Sequence, residues 1–138
     1  MKNLLAVAAL FFSVSLLADE SKQLYDDALR SYLVGTWIGA EDEPGTSSQQ
    51  TFREDGTYEG LVVMKVKSPA GTEVERRVVF SGVWRVEGDV CVETTQKIEP
   101  QIANVGVARR YRITEVTSSR HRSTNTETQS SGVHMRKG

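Results

Sequence analysis

The feature that most constrains the fold of this chain is a two-residue alternation of apolar and polar side chains downstream of Val34. Such an alternation is typical of β-strands that bury one face. The clearest run is Thr72–Glu87, in which one set of alternating positions is mostly apolar. That set consists of Val74, Arg76, Val78, Phe80, Gly82, Trp84 and Val86. The run is long for one flat strand, and Gly82 in its middle predicts a bend or a bulge.

Shorter alternating runs predict further strands on both sides of this segment. They are Leu33–Ile38, Ser48–Arg53, Thr57–Lys67, Val90–Ile98, Arg109–Thr117 and a weaker Thr128–Arg136. The Asp55-Gly56 pair between two of them is a hairpin signal, because glycine tolerates a positive φ. The polar stretch Ser118–Asn125 is interpreted as a loop.

The order of these strands predicts an antiparallel, all-β fold. No helix-length apolar pattern separates the strands, so a parallel sheet built from βαβ units is excluded. About seven or eight strands joined by tight turns form an up-and-down meander, and closure into a β-barrel removes its exposed edges. A two-layer sandwich is the alternative.

The N-terminal segment has the pattern of a cleaved signal peptide. Lys2 precedes the apolar run Leu4–Leu17, and Ala18 offers a small residue at the cleavage position, with Ser15 as a competitor. The run has about 14 residues, whereas a membrane span needs roughly 20. A retained N-terminal anchor is the alternative. Residues 1–18 are therefore predicted to be the signal, and the remaining residues 19–138 one domain.

The signal predicts a periplasmic or secreted bacterial protein. The only cysteine is Cys91, so no cysteine stands at the cleavage site to carry a lipid, and an internal disulfide is excluded. In the predicted mature chain, Asp19–Leu33 carries one apolar stripe at helical spacing, with Gly35 just beyond its end. We expect a short N-terminal helix that covers one end of the barrel.

Three segments resemble small bacterial lipocalin-like domains. Leu33–Trp37 follows a short helix and contains the Gly-x-Trp pair that opens such barrels. Thr51–Tyr58 is similar to their second hairpin, and Ser81–Asp89 to their central hairpin. The Thr-Asp-Tyr element of classical lipocalins is absent. The resemblance implies a calycin-type β-barrel that binds a ligand in its interior.

The same resemblance implies a structural cluster at the closed end of the barrel. In lipocalins the first-strand tryptophan plugs that end, and an arginine of the last strand stacks over it. Here these residues are Trp37, preceded by Gly35, and Arg136. We expect the guanidinium and the indole to lie within about 6 Å of each other, as in a cation–π contact. The alternative is a solvated arginine near the C-terminus.

Five side chains on the predicted inner faces are the candidate ligand-binding residues. They are Arg76, Tyr58, Phe80, Trp84 and Tyr111. An inward arginine needs a carboxylate or an anionic ligand, because an unpaired buried charge is costly. Arg76 is therefore predicted to orient an anionic head group, or to pair with Glu115, and the alternative is that it extends to water. The aromatic residues would line a cavity or simply fill the core.

The sequence does not support catalysis, metal binding or nucleic-acid binding. No catalytic motif is present, two histidines and one cysteine offer no metal-ligand spacing, and the net charge is −1. We therefore expect a non-catalytic protein without cofactor or metal. Cys91, next to Val90 and Val92, is interpreted as an inert, half-buried thiol.

Basic residues concentrate late in the chain, whereas acidic residues dominate the first half of the predicted mature chain. The basic cluster consists of Arg109, Arg110, Arg112, Arg120 and Arg122. It could bind an envelope protein or an anionic surface, and the alternative is internal pairing with the acidic first half.

Two functions lead, and a third, an enzyme, would need a cluster of titratable groups in a cleft. The first is binding of a small hydrophobic or amphiphilic ligand in a cavity of about 300 Å³ or more. The second is a cell-envelope interaction module, such as an inhibitor or assembly factor, whose barrel is filled and whose surface carries an exposed patch.

Overall fold

Eight antiparallel strands close into one barrel in the computed structural model, which describes residues 25–40 and 43–138. The strands are β1 (Gly35–Gly39), β2 (Thr46–Phe52), β3 (Thr57–Lys67), β4 (Glu73–Glu87), β5 (Val90–Glu99), β6 (Ala108–Val116), β7 (Arg120–Asn125) and β8 (Ser131–Arg136). Each strand pairs with the next, and β8 pairs with β1, so that no edge remains. The predicted up-and-down barrel is confirmed, and the sandwich alternative is wrong.

A helix, α1, covers residues 25–33 and leads directly into β1. Its buried side chains are Leu29 and Leu33. Leu29 belongs to the predicted apolar stripe, whereas Tyr25 and Tyr32, which were also assigned to that stripe, are exposed. The predicted signal peptide and the first part of the predicted helix lie outside the described residues. In the part of the chain that the structure describes, no helix combines the length and the apolar character needed to cross a membrane.

The predicted irregularity in the longest strand is confirmed at Gly82. The register between β4 and β5 shifts between Ser81 and Gly82. A Cβ atom at Gly82 would collide with the carbonyl oxygen of Thr94 on β5. Only glycine allows the two backbones to approach this closely, and the bulge bends a strand of 15 residues around the barrel.

The interpretation of Ser118–Asn125 as a loop is wrong, because Arg120–Asn125 forms β7. The inward side chains of this strand are His121 and Ser123, which are buried but not apolar. The usual pattern of an amphipathic strand is therefore missing. Main-chain pairing with β6 on one side and β8 on the other holds the segment in the barrel.

The turns of an up-and-down barrel alternate between its two ends, and here the ends differ. The end with the β2–β3, β4–β5 and β6–β7 turns is covered by α1, and we call it the closed end. We call the other end the open end. The core cluster is centred on the closed end, where it joins α1 to five strands. It consists of Leu29, Leu33, Trp37, Phe52, Tyr58, Trp84 and Cys91. Each large apolar side chain that it buries contributes about 1.5–3 kcal/mol to folding.

The expected contact between Arg136 and Trp37 is confirmed. The guanidinium carbon of Arg136 lies 4.3 Å from the centre of the Trp37 ring. The guanidinium also donates hydrogen bonds to the carbonyl oxygens of Val34 (2.9 Å), Tyr32 (2.5 Å) and Ser118 (2.6 Å). Carbonyl groups in the last turn of a helix have no intrahelical partner. Arg136 therefore caps α1 while it covers the indole.

Gly35 makes room for this arrangement. A Cβ atom at this position would collide with the guanidinium of Arg136, and the φ angle of +137° is one that other residues rarely adopt. Trp37 in turn donates a hydrogen bond from Nε1 to the carbonyl oxygen of Leu33 (2.8 Å). The predicted Gly-x-Trp motif thus lies at the junction between α1 and the barrel.

Replacing Arg136 by Met should lower the free energy of unfolding by about 1–3 kcal/mol, because it removes three charge-assisted hydrogen bonds to main-chain carbonyls and the contact with Trp37. Urea denaturation measures the change. Arg85→Met is the matched control, since Arg85 pairs with Glu87 on the exposed surface (2.8 Å) and should change stability by about 0.5 kcal/mol at most. Equal losses in the two variants would contradict the special role of Arg136.

Candidate functional site

The barrel contains an inner cavity of about 180 Å³. Its apolar lining residues are Leu33, Phe52, Val62, Phe80, Cys91 and Ile113. Its polar lining residues are Ser48, Gln50, Glu93, Tyr111, His121, Ser123 and His134. The interior of the barrel is therefore not filled by the core cluster, and the space that remains is lined by apolar and polar side chains together.

A second space, the mouth cavity, lies toward the open end and measures about 210 Å³. It is lined by Val62, Met64, Val78, Phe80, Thr95, Ile98, Ile102, Ala103 and Arg109. Val62 and Phe80 line both cavities, so they lie on the boundary between them. The Phe80 ring lies over Gly60 on β3, where any Cβ atom would collide with it. The glycine thus lets the ring lie flat against the wall.

Among the residues that the structure describes, Glu93 is the only carboxylate that lines either cavity. It lies on the inner face of β5 and is 5% exposed. Gln50 on β2 donates a hydrogen bond from Nε2 to Oε1 of Glu93 (3.0 Å). Burial raises the pKa of Glu93 to about 7, although the charge of Arg109 and the Gln50 hydrogen bond both act to lower it. Near neutral pH this carboxyl group is therefore divided between its protonated and ionised forms.

The sequence analysis missed Glu93, although a signal for it was present. The β4–β5 turn is tight, and the register pairs Val86 with Cys91 and Trp84 with Glu93. Directly opposed residues of an antiparallel pair share one face of the sheet. Since Trp84 was already placed on the inner face, the two-residue turn also places Glu93 there. For the same reason Cys91 is fully buried in the core and not half-buried.

The ionisable side chains around Glu93 are kept neutral by burial. Burial raises the pKa of Tyr58 to about 12, and its hydroxyl group forms a hydrogen bond with that of Thr95. Burial, and then the charge of Glu93, raise the pKa values of Tyr111 and Cys91. Cys91 is therefore a thiol at neutral pH, without the nucleophilic character of a thiolate.

Two stacked histidines also line the inner cavity. The rings of His121 and His134 are 4.8 Å apart at 17°, and His121 meets Trp37 edge-on at 4.5 Å. Neither ring nitrogen of His121 has a hydrogen-bond partner among the described residues. Burial, with the charges of His134 and Arg136, lowers the pKa of His121 to about 3. The imidazole is therefore neutral.

The structure divides the predicted ligand-binding residues into three groups. Phe80 and Tyr111 line the inner cavity. Tyr58 and Trp84 belong to the core cluster, and Trp84 donates a hydrogen bond from Nε1 to the carbonyl oxygen of Arg53 (2.9 Å). Arg76 is exposed. Whether Phe80 and Tyr111 bind a ligand stays a prediction, whereas Tyr58 and Trp84 are placed as packing residues.

Arg76 and Glu115 are not brought together. Arg76 lies near the β3–β4 turn at the open end, and Glu115 lies near the β6–β7 turn at the closed end. Glu115 instead pairs with Arg120. The arginine that lines the mouth cavity is Arg109, the cross-strand neighbour of Glu93.

The residues of the basic cluster are also separated, because successive side chains along a strand point to opposite faces of the barrel wall. Arg109 faces the mouth cavity, whereas Arg110 pairs with Glu87 at 2.9 Å and Arg112 with Asp89 at 3.4 Å. Arg120 pairs with Glu115, as described above. The acidic partners come from the second half of the chain and not, as the alternative expected, from the first. These ion pairs are exposed, so each stabilises the fold by about 1 kcal/mol at most.

No protein-family model matches this chain, and no curated protein matches it in a sequence search. Across residues 25–40 and 43–138, no group of three or more histidine, cysteine or acidic side chains is arranged to hold a metal ion. The geometry therefore defines the class of this protein as a closed, eight-stranded antiparallel β-barrel with an internal, partly polar cavity.

Replacing Glu93 by Gln should stabilise the protein above neutral pH. The carboxyl ionises near pH 4.5 in the unfolded chain and near 7 in the folded one, so wild-type stability falls as pH rises between these values. The glutamine variant lacks this decline and should be more stable by about 2–3 kcal/mol at pH 8. Urea denaturation from pH 4 to 8 measures the difference.

The control for this comparison is Glu99→Gln, because Glu99 lies on the same strand but is exposed. It should change the free energy of unfolding by about 0.5 kcal/mol at most. If the difference between Glu93→Gln and wild type did not depend on pH, Glu93 would not be buried as the structure has it.

His121 should remain neutral in the folded protein well below the usual pKa of histidine. Its folded pKa is depressed, so the stability that it contributes is present above about pH 6.5 and is lost as pH falls toward 3. The imidazole resonances of His121 in NMR spectra should therefore not titrate between pH 7 and 5. His121→Phe should reduce the acid destabilisation. A titration midpoint near 6.5 would show instead that the ring is solvated.

Proposed function

We propose that this chain is an exported, non-catalytic, lipocalin-like protein that binds a small amphiphilic molecule inside its barrel. One observation carries the proposal: the inner cavity is lined both by apolar side chains and by polar groups, among them the buried carboxyl of Glu93. Ligand pockets typically combine an apolar wall with a few polar groups that fix orientation. A merely filled barrel needs neither a cavity nor a buried carboxylate.

The volume of the inner cavity limits the ligand. An apolar cavity of about 150 Å³ accommodates benzene, and the inner cavity measures about 180 Å³. Neither cavity alone reaches the expected 300 Å³, so a larger ligand would have to extend past Val62 and Phe80 into the mouth cavity. A ring or short chain in the inner cavity is the size of group that these dimensions favour.

Export and the lipocalin-like character are supported by separate features. The apolar run Leu4–Leu17 followed by Ala18 has the pattern of a signal peptide. The closed end, where Arg136 covers Trp37 beside Gly35, has the arrangement expected from the resemblance. The protonated thiol of Cys91 and the neutral ring of His121 support a role in binding without catalysis.

A second function, an interaction module of the cell envelope, is favoured by one surface feature. The β5–β6 loop exposes three apolar side chains, Ile102, Val105 and Val107, and Ile102 is 66% exposed. Contiguous exposed apolar patches often mark sites of protein interaction. The basic cluster contributes less to this alternative, since three of its arginines already pair with acidic neighbours.

Substitution of two adjacent valines on β3 tests the binding function. Val62 lines both cavities, whereas Val63 points to the opposite face of the strand. Cyclohexanol is a suitable probe because its ring is close to benzene in size. Isothermal titration calorimetry should show saturable one-to-one binding to wild type and to Val63→Phe. Val62→Phe should reduce the affinity at least about tenfold, because the phenyl ring fills the site.

Native mass spectrometry of the protein purified from its own host then distinguishes the two functions. A bound small molecule that disappears in Val62→Phe supports binding in the barrel. A co-purifying partner chain, with no probe binding by wild type, would contradict the binding function and favour the interaction module. Binding that Val62→Phe leaves unchanged would place the probe outside the barrel.

A further inference from the structure

The two cavities are bordered by charged groups of opposite sign along the barrel axis. Glu93 lines the inner cavity, toward the closed end. Arg109 lines the mouth cavity, toward the open end, where most of the other lining side chains are aliphatic. A cationic amphiphile with its head at Glu93 keeps that head away from Arg109 and has its apolar tail toward the mouth.

The deepest charged group offers hydrogen-bond acceptors. Glu93 accepts a hydrogen bond at Oε1 from Nε2 of Gln50. The side chain is more than nine-tenths buried and borders the cavity. A buried carboxylate is costly when left unpaired, so the site favours a ligand group that donates hydrogen bonds to it.

The negative charge of Glu93 determines which ligand head groups the inner cavity can bind. A carboxylate or phosphate head would be placed beside a second negative charge. An ammonium head carries a positive charge and three donors, and it can donate to the carboxylate together with neutral acceptors that line the cavity. A hydroxyl head can donate only one hydrogen bond. The chemistry of the inner cavity therefore fits an amine best.

The ionisable groups near Glu93 lie on its own strand and on neighbouring strands, and the rings of His121 on β7 and His134 on β8 line the same cavity. Arg109 on β6 bears the opposing positive charge, and it lies at the exposed, open-end side of the carboxylate. Tyr111 on β6, Tyr58 on β3 and Cys91 on β5 carry no charge at neutral pH because burial raises their pKa values. Glu93 is thus the dominant charge inside, and Arg109 the one that acts against a cation.

We propose that the barrel binds a cationic amphiphile head first, with a primary or secondary amine at Glu93 and the apolar body extending past Val62 and Phe80 into the mouth cavity. This inference rests on the proposed function and specifies its ligand class. It replaces the expected anionic head, which was assigned to an arginine that the structure places on the exposed surface.

Two isosteric probes test the head group. Cyclohexylamine and cyclohexanol have the same size and differ in charge and donors. Calorimetry at pH 8 should show an affinity at least about tenfold higher for the amine, a difference of about 1.4 kcal/mol. Glu93→Gln should abolish this preference while leaving cyclohexanol binding within about twofold. Arg109→Gln should strengthen amine binding, because it removes the opposing charge.

The pH dependence in wild type provides a test that needs no variant. Amine affinity should rise between pH 6 and 8 as Glu93 ionises, whereas an aliphatic ammonium group keeps its proton up to about pH 10. Cyclohexanol affinity should change less. A fall in amine affinity over this range, or a preference for cyclohexanecarboxylate, would overturn the proposal.

Tail length tests the orientation. Decylamine should bind more tightly than cyclohexylamine because its chain reaches the mouth cavity. Val78→Ser, in the mouth cavity, should weaken decylamine binding about three- to tenfold and leave cyclohexylamine unchanged. The control is Val79→Ser, since Val79 is exposed on the outer face. Equal effects of Val78→Ser on both amines would contradict a head-first orientation.

The outcomes separate this inference from the proposed function. If no probe binds to wild type, the proposed function fails. If cyclohexanol and cyclohexylamine bind equally and Glu93→Gln changes neither, the binding function stands and the amine assignment is wrong. If the amine preference survives in Glu93→Gln, another group recognises the head, and the assignment to Glu93 is overturned.

Discussion

The contact between Arg136 and Trp37 is the interaction on which the rest of this structure depends. The guanidinium belongs to the last strand, the indole to the first, and the carbonyl groups that accept its hydrogen bonds belong to α1, to the helix–strand junction and to the β6–β7 turn. One side chain of the last strand therefore joins the α1–β1 segment, residues 32–37, to the β6–β7 turn. Because β1 and β8 are held together there, the sheet has no open edge, and the interior is separated from solvent at this end.

The barrel is closed at one end and not at the other, and this explains how a chain of this size can retain a cavity. The large aromatic residues Trp37, Phe52, Tyr58 and Trp84 all belong to the core cluster, and they provide most of the apolar burial. The remaining interior is left to smaller and more polar side chains. Burying Glu93 and His121 costs stability, and the closed end offsets that cost. This separation of a stabilising end from a polar cavity is consistent with residues kept for binding.

The sequence was sufficient to predict the barrel but not the polar side chains of its interior, and both results have the same cause. Alternation of apolar and polar residues identifies a strand when the inner face of that strand is apolar. It therefore predicted β3 with the observed bounds, Thr57–Lys67, and the bounds of β4 to within one residue. In β7 the inner face carries His121 and Ser123, so the hydrophobic signal vanishes and only main-chain pairing defines the strand. Glu93 was missed because the inner face of β5 is polar, although the tight β4–β5 turn specified its direction.

Arg76 and Glu93 show that the position of a charged residue along the barrel axis determines whether its side chain reaches solvent or stays buried. Each is the fourth residue of its strand, Arg76 counted from the open end and Glu93 from the closed end. The long arginine side chain reaches water from its position, as the alternative interpretation expected. The short glutamate side chain cannot leave the interior, because α1 and the aromatic cluster cover the nearer end. The charge that any bound ligand meets inside the barrel is therefore negative, and the arginines act only at its rim.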